Sequence, residues 1–88
     1  MTPPDVRPWL VAWFERKGQV AGSTLEEKIQ TDYFAAGLID SLGVVSLIAD
    51  VEGAFSIRFS DRHYQERRFS TIGGLAEIVS ELVAVKPA

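Results

Sequence analysis

Three stretches of the chain repeat apolar residues at spacings of three and four, and none of useful length alternates with period two. That pattern gives each of three helices one apolar stripe and leaves no half-buried strand to pair. The first stripe is Val6, Trp9, Leu10, Trp13 and Phe14. Pro8 is harmless there only in the first turn, where its missing N–H had no partner, so Asp5 is the expected N-cap. Gly18 is the natural stop, and the first helix is read as about Val6 to Lys17. The second stripe, over 41–55, is Val44, Leu47, Ile48, Val51, Ala54 and Phe55, with Asp40 as N-cap. Gly43 and Gly53 each weaken it by up to about 1 kcal/mol relative to alanine. The last helix follows a cap at Ser70 or Thr71 and carries Ile72, Leu75, Ile78, Val79 and Leu82. A brief helical turn capped by Asp61 is expected over Arg62–Glu66. The segment Phe55–Phe59 alternates weakly but is too short and isolated for a strand. The expected fold is all-α, a small four-helix bundle of three main helices plus a short third one.

With 88 residues, one domain over 1–88 is expected, its ordered core at about 5–84. A chain this short buries roughly 60–65% of the surface it exposes when unfolded. That leaves room for one core but not for a cleft walled by two lobes, which speaks against an enzyme. A hydrophobic fraction of 47% excludes disorder. The net charge of −3 gives no reason to expect nucleic acid. Cysteine is absent, which excludes a disulfide framework and a thiolate metal site, and no metal is expected. Met1-Thr2-Pro3-Pro4-Asp5 is not a signal peptide, and no apolar run approaches the roughly 18 residues of a membrane span. A cytoplasmic monomer without membrane insertion is the expectation.

The connection over 18–39 is too long to be idle in so small a domain. Leu25, Ile29, Tyr33, Phe34, Leu38 and Ile39 are expected to pin it to the core, with a turn starting at Thr31-Asp32. It ends in Gly37-Leu38-Ile39-Asp40-Ser41-Leu42, which puts Ser41 at the first position of a helix. A side chain there stands clear of the core, beside N–H groups with no intrahelical partner. Those groups and the helix dipole favour an anion, so a phosphodiester on Ser41 is well placed. Asp40 opposes it with a charge of the same sign.

These residues carry a resemblance. Gly37–Leu42, the helix Val44–Phe55 with Asp50-Val51-Glu52 leading into Phe55, and Ser60-Asp61 before the last helix together resemble the acyl carrier protein family. The resemblance implies a 4'-phosphopantetheine arm on Ser41, transferred from coenzyme A by a phosphopantetheinyl transferase, with acyl or aminoacyl groups held on it as thioesters. It implies no catalysis by the chain itself. Asp32–Leu42 is also similar to the D-alanyl and related aminoacyl carriers. Asp61-Arg62, followed by Phe69-Ser70-Thr71, resembles their Asp-Arg…Trp-x-Thr at a longer spacing. Further partners implied are an adenylating ligase or acyltransferase that loads the arm and an acyl-accepting enzyme downstream.

Fatty-acid carriers present an acidic outer face on the corresponding helix. At about 100° per residue, the outer face here holds Leu42, Gly43, Ser46, Ala49, Asp50 and Gly53, with Asp50 its one charge. Residues 58–68 carry Arg58, Arg62, Arg67 and Arg68 against Asp61 and Glu66, a local +2 that is either a solvated face or a partner contact. A dedicated partner set is therefore expected, as in polyketide or nonribosomal peptide biosynthesis and other secondary metabolism, or in envelope assembly. The docking surface is read as Asp40, Leu42, Val45, Ala49 and Asp50. Three plainer readings stand beside this. Ser41 could be an ordinary first-turn residue, leaving a helical adaptor without a prosthetic group. Asp40, Ser41 and His63 lack the Gly-x-Ser-x-Gly setting of a hydrolase triad. His63 is read as solvated, and Trp9 and Trp13 as core.

Overall fold

The computed structural model describes residues 5–85. Its helices are α1 (Val6–Glu15), α2 (Leu25–Lys28), α3 (Ser41–Phe55), α4 (Asp61–Tyr64) and α5 (Ile72–Val85), with a 3-10 turn over Arg67–Ser70 before α5. Among the described residues there is no strand, only an isolated bridge between Asp32 and Thr71. Of the residues expected outside the ordered core, Met1–Pro4 and Lys86–Ala88 lie outside the described residues, whereas Val85 is the last residue of α5.

Asp5 caps α1, its carboxylate accepting from the Arg7 N–H at 3.3 Å. The helix ends two residues earlier than the stripe suggested. The N–H groups of Lys17 and Gly18 both turn back to the Phe14 carbonyl, at 2.9 and 3.1 Å, and this tightened turn stops it. Leu10, Trp13 and Phe14 are buried, and Phe14 stacks on Tyr33 of the long connection with centroids 4.7 Å apart. Trp9 meets Phe55 of α3 edge-on at 5.3 Å. Leu47, Val51 and Phe55 are the buried stripe of α3, flanked by half-buried Val44 and Ile48. Ala54 is exposed instead of belonging to that stripe. Ile72, Leu75, Ile78 and Val79 of α5 close the core, and Leu82 packs against it half-buried.

The connection over 18–39 contains a helical turn, α2, that the apolar spacing did not reveal. Thr24 caps it: its Oγ1 accepts from the Glu27 N–H and donates to the Glu27 carboxylate, both at 3.2 Å. Leu25, Ile29, Leu38 and Ile39 pack against the core and Tyr33 is fully buried, as expected. Phe34 does not pin the loop. It is 45% exposed, because Asp32 Oδ1 accepts from the N–H groups of Phe34 and Ala35 at 3.0 Å and winds 33–37 into an outward turn. The connection also caps α5. The Ile72 N–H donates to the Thr31 carbonyl at 3.1 Å, the Gly73 N–H to Ile29 at 2.7 Å, and the Gly74 N–H to Thr71 Oγ1 at 3.0 Å. Thr71 is thus the cap; Ser70 instead donates to the Arg67 carbonyl. Three first-turn donators of α5 are satisfied this way.

Past α3, Ser56 adopts a left-handed conformation at φ 55°. Glu52 then holds the segment by accepting from the Phe59 N–H at 2.9 Å. The following short helix starts and stops before its expected range: Ser60, not Asp61, is the N-cap, and the helix ends at Tyr64. His63 is not solvated but 8% exposed, edge-on to Phe59. Its Nδ1 accepts from the Ser60 N–H at 2.9 Å, so the ring proton sits on Nε2. Packing wins there because the imidazole both fills space under Phe59 and supplies a backbone acceptor. Arg68 bridges Glu66 at 2.8 Å and Glu81 at 2.6 Å, tying the 3-10 turn to α5. Its hydrogen bonds hold the Glu81 carboxyl below its ordinary pKa. That contribution to stability is present above the ordinary glutamate pKa and is lost as pH falls through the lowered value. Both side chains are partly solvated, so it is small.

Candidate functional site

The site is built from the last turn of the long connection. The Leu38 N–H donates to the Tyr33 carbonyl at 3.0 Å, and Gly37 sits at φ +73°, a conformation a side chain would resist. Leu38 and Ile39, just after the turn, are half-buried and pack against the core. A side chain at Gly43 would strike Ile39 Cγ1 at 2.7 Å, so the glycine that weakens α3 lets Ile39 seat beneath its first turn.

Asp40 follows in an extended conformation, φ −114° and ψ −173°, and caps α3 as expected. Its Oδ1 accepts from the Gly43 N–H at 2.8 Å and its carbonyl from the Val44 N–H at 3.0 Å. The N–H groups of Ser41 and Leu42 have no backbone partner among the described residues. Ser41 is the first helical residue and is exposed, and its hydroxyl makes no hydrogen bond within the described chain. A free, solvent-facing hydroxyl beside two unsatisfied N–H donors suits esterification by a phosphate.

Leu42, at 80% exposure, and Val45, at 66%, stand out beside Ser41, and Ser46 and Ala49 continue the exposed face one turn on. Asp50 is exposed but engaged: its Oδ2 accepts from the Trp13 indole N–H at 2.7 Å, across 37 positions of sequence. A buried indole needs such an acceptor. The spacing within α3 gave no sign of it, since the partner lies on α1. His63 belongs to the Ser60 cap and Phe59 packing, not to Ser41. Lys17, which sequence reading passed over, lies with its ammonium 4.8 Å from the Trp13 ring centroid. It lines a groove with Gly37, Leu38, Asp40 and Gly43. No cluster of three metal-ligating side chains occurs among the described residues, and none of their helices is long and apolar enough to cross a membrane.

Comparison with known proteins gives the family. The family model described as phosphopantetheine attachment site matches residues 18–79. A D-alanyl carrier protein of Streptococcus pyogenes serotype M5 (strain Manfredo) is 33% identical over 58 residues, covering 66% of this chain and 73% of that protein. A D-alanyl carrier protein of Streptococcus uberis (strain ATCC BAA-854 / 0140J) is 37% identical over 51 residues, 58% of this chain and 65% of that protein. No solved structure gives a significant match. The family match runs from Gly18, just past α1, into α5, more than half of the chain and all of α3 with its exposed head; the chain belongs to the phosphopantetheine attachment-site family and is a carrier protein.

Proposed function

We propose that Ser41 is the attachment point and that the chain holds acyl or aminoacyl thioesters on its phosphopantetheine arm. The observation that carries this is the free Ser41 hydroxyl at the head of a helix whose capping duty is met by Asp40. In the modification the Ser41 oxygen attacks the pantetheine-side phosphorus of coenzyme A. It loses its proton to the transferase and displaces adenosine bisphosphate. The arm supplies a thiol for thioester formation, a group this cysteine-free chain lacks.

The D-alanyl carrier relatives favour an aminoacyl cargo, and with it an ATP-dependent adenylating ligase as loading partner. An acyl-accepting enzyme takes the cargo onward, and the cytoplasm, where coenzyme A and ATP are at hand, is the setting. Leu42, Val45 and Ala49 form the docking face in this reading. Asp40 and Asp50 border it with carboxylates already engaged by Gly43 and Trp13. A face with no more than these two carboxylates supports a dedicated partner set, as in secondary metabolism, over service to fatty-acid enzymes.

Intact-mass analysis after incubation with coenzyme A and a broad-specificity transferase tests the attachment point. The wild type should gain one phosphopantetheine mass and Ser41→Ala none. A modified Ser41→Ala protein, or a wild type that never gains the mass, overturns the reading.

A further inference from the structure

The chain has a single histidine, His63, and the carrier role gives it no task. It is the third residue of α4 and is 8% exposed. A helix that opens with serine is ordinarily closed by glutamate or glutamine three residues on, whose side chain reaches back to the N–H of the cap residue. In α4 histidine holds that place. His63 Nδ1 accepts from the Ser60 N–H at 2.9 Å, and the Ser60 hydroxyl lies 3.1 Å from the same nitrogen. The other short helix, α2, has Thr24 and Glu27 at this spacing. A glutamine keeps its acceptor at every pH and a glutamate keeps its charge down to about pH 4. An imidazole loses its acceptor within the physiological range.

The charges around the ring are laid out in pairs. His63 lines a groove with Arg62 of its own helix, Glu66 and Arg68 of the following turn, and Glu81 of α5. Arg68 bridges both carboxylates, so two cations face two anions there. Of the other charges nearby, Glu52 of α3 accepts from the Phe59 N–H, and Arg58 and Asp61 are exposed on either side of Phe59 and Ser60. The contact that changes when the ring takes a proton is therefore the one to Ser60.

We infer that His63 is a proton-operated latch on α4: neutral, it caps the helix; protonated, it releases the Ser60 N–H and opens residues 60–66. The added proton goes to Nδ1, because Nε2 already carries one. An Nδ1–H and the Ser60 N–H cannot point at each other. The imidazolium can donate to the Ser60 hydroxyl instead, but the Ser60 N–H is then left without its acceptor. A helix of four residues has few other bonds to hold it. Glu52 on Phe59 and the Arg68 bridges bound the opening on both sides. Opening grows as pH falls, and it does not depend on Ser41.

NMR of the isotope-labelled full chain, titrated from about pH 8 to about pH 5.5 across the ordinary histidine range, tests this. At the upper end the ring nitrogens should show the proton on Nε2. As the ring titrates, the Ser60 amide proton should move upfield and the helical Cα shifts of Asp61–Tyr64 should shrink with the same midpoint. The amides of Leu47 and Ile78 should hold still. In His63→Gln, whose amide oxygen keeps the acceptor, the Ser60 signal and the helical shifts should stay constant over the range. A ring proton on Nδ1 at the upper end, a Ser60 amide that ignores the ring, or the same change in a folded His63→Gln would overturn the inference. Changes spread through α3 and α5 would overturn it too, since they mean global unfolding. The wild-type titration decides by itself if His63→Gln does not fold.

Discussion

Tyr33 is fully buried against Phe14, yet its hydroxyl has no hydrogen-bond partner among the described residues. Burial, and then the nearby Asp32 carboxylate, push that phenol well above its ordinary pKa, so it stays neutral at any working pH. A buried hydroxyl without a partner costs about 1–3 kcal/mol of desolvation, whereas the ring contributes packing that phenylalanine would keep. Tyr33→Phe should therefore leave the protein as stable or raise its stability by about 1 kcal/mol. The midpoint of chemical denaturation reads this directly. A loss of similar size would mean that a partner, such as an ordered water, satisfies the hydroxyl. At this scale the sequence was legible where a residue's duty is local. Asp40 and Asp5 cap the helices they precede, and Ser41 stands where the Asp-Ser-Leu spacing put it. It was illegible where duty depends on a distant partner. Asp50 serves a tryptophan 37 positions away, and His63 is drawn inward by Ser60 and Phe59.

Among the elements, α3 and α5 each contain glycines that helix propensity alone would penalise, and their surroundings separate them. Gly53 lies on the exposed face of α3 with nothing within 4 Å of an added methyl group. Gly74 lies where α5 meets the preceding 3-10 turn, and an added methyl group would collide with the Arg68 carbonyl oxygen. Gly53→Ala should raise stability by about 0.5–1 kcal/mol, and Gly74→Ala should lower it by about 1–3 kcal/mol through forced displacement of the turn. Thermal or denaturant unfolding of the two variants checks both signs. A destabilised Gly53→Ala would show that this face of α3 is covered. The long elements were readable because their stripes span several turns, and only their ends moved: α1 stops at Glu15 once Lys17 and Gly18 bond back to Phe14. Short elements were not readable by period. One turn of α2 offers too few residues for a stripe, and its real signal was the Thr24-x-x-Glu27 capping pattern. Capping of α5 by the carbonyls of Ile29 and Thr31 is made by backbone and leaves no mark in side-chain pattern.

At the scale of the whole molecule, charge and apolar surface are separated in a way that bears on how partners bind. The formal charge is −3, but the exposed face of α3 carries only Asp50, with Asp40 at its head. Asp40 is engaged with Gly43 and Asp50 with Trp13, while Ser46, Ala49 and Gly53 cannot reach a basic patch. On the other side of the sequence, Glu66 and Glu81 neutralise Arg68, so the expected local +2 of 58–68 rests on Arg58, Arg62 and Arg67, all exposed. Leu42 and Val45 are left as the side chains beside Ser41 with surface to give. An apolar side chain filling a partner's pocket contributes about 1.5–3 kcal/mol, against about 0–1 kcal/mol for an exposed ion pair. Many opposed charges would make binding fall steeply with salt, whereas an apolar anchor is nearly indifferent to it. Leu42→Ala should therefore impair loading by the cognate enzyme more than Asp50→Ala does, through a higher KM. Loading efficiency should change only modestly between low and physiological salt. Asp50→Ala has its own signature, since it strips the acceptor from a buried indole and should lower stability as well as disturb α3. Steady-state loading of both variants across a salt series, with their unfolding midpoints measured alongside, separates the two effects. A steep salt dependence with a stably folded Asp50→Ala as the worse substrate would show that partners read this carrier through charge, and the Leu42 and Val45 anchor would be abandoned.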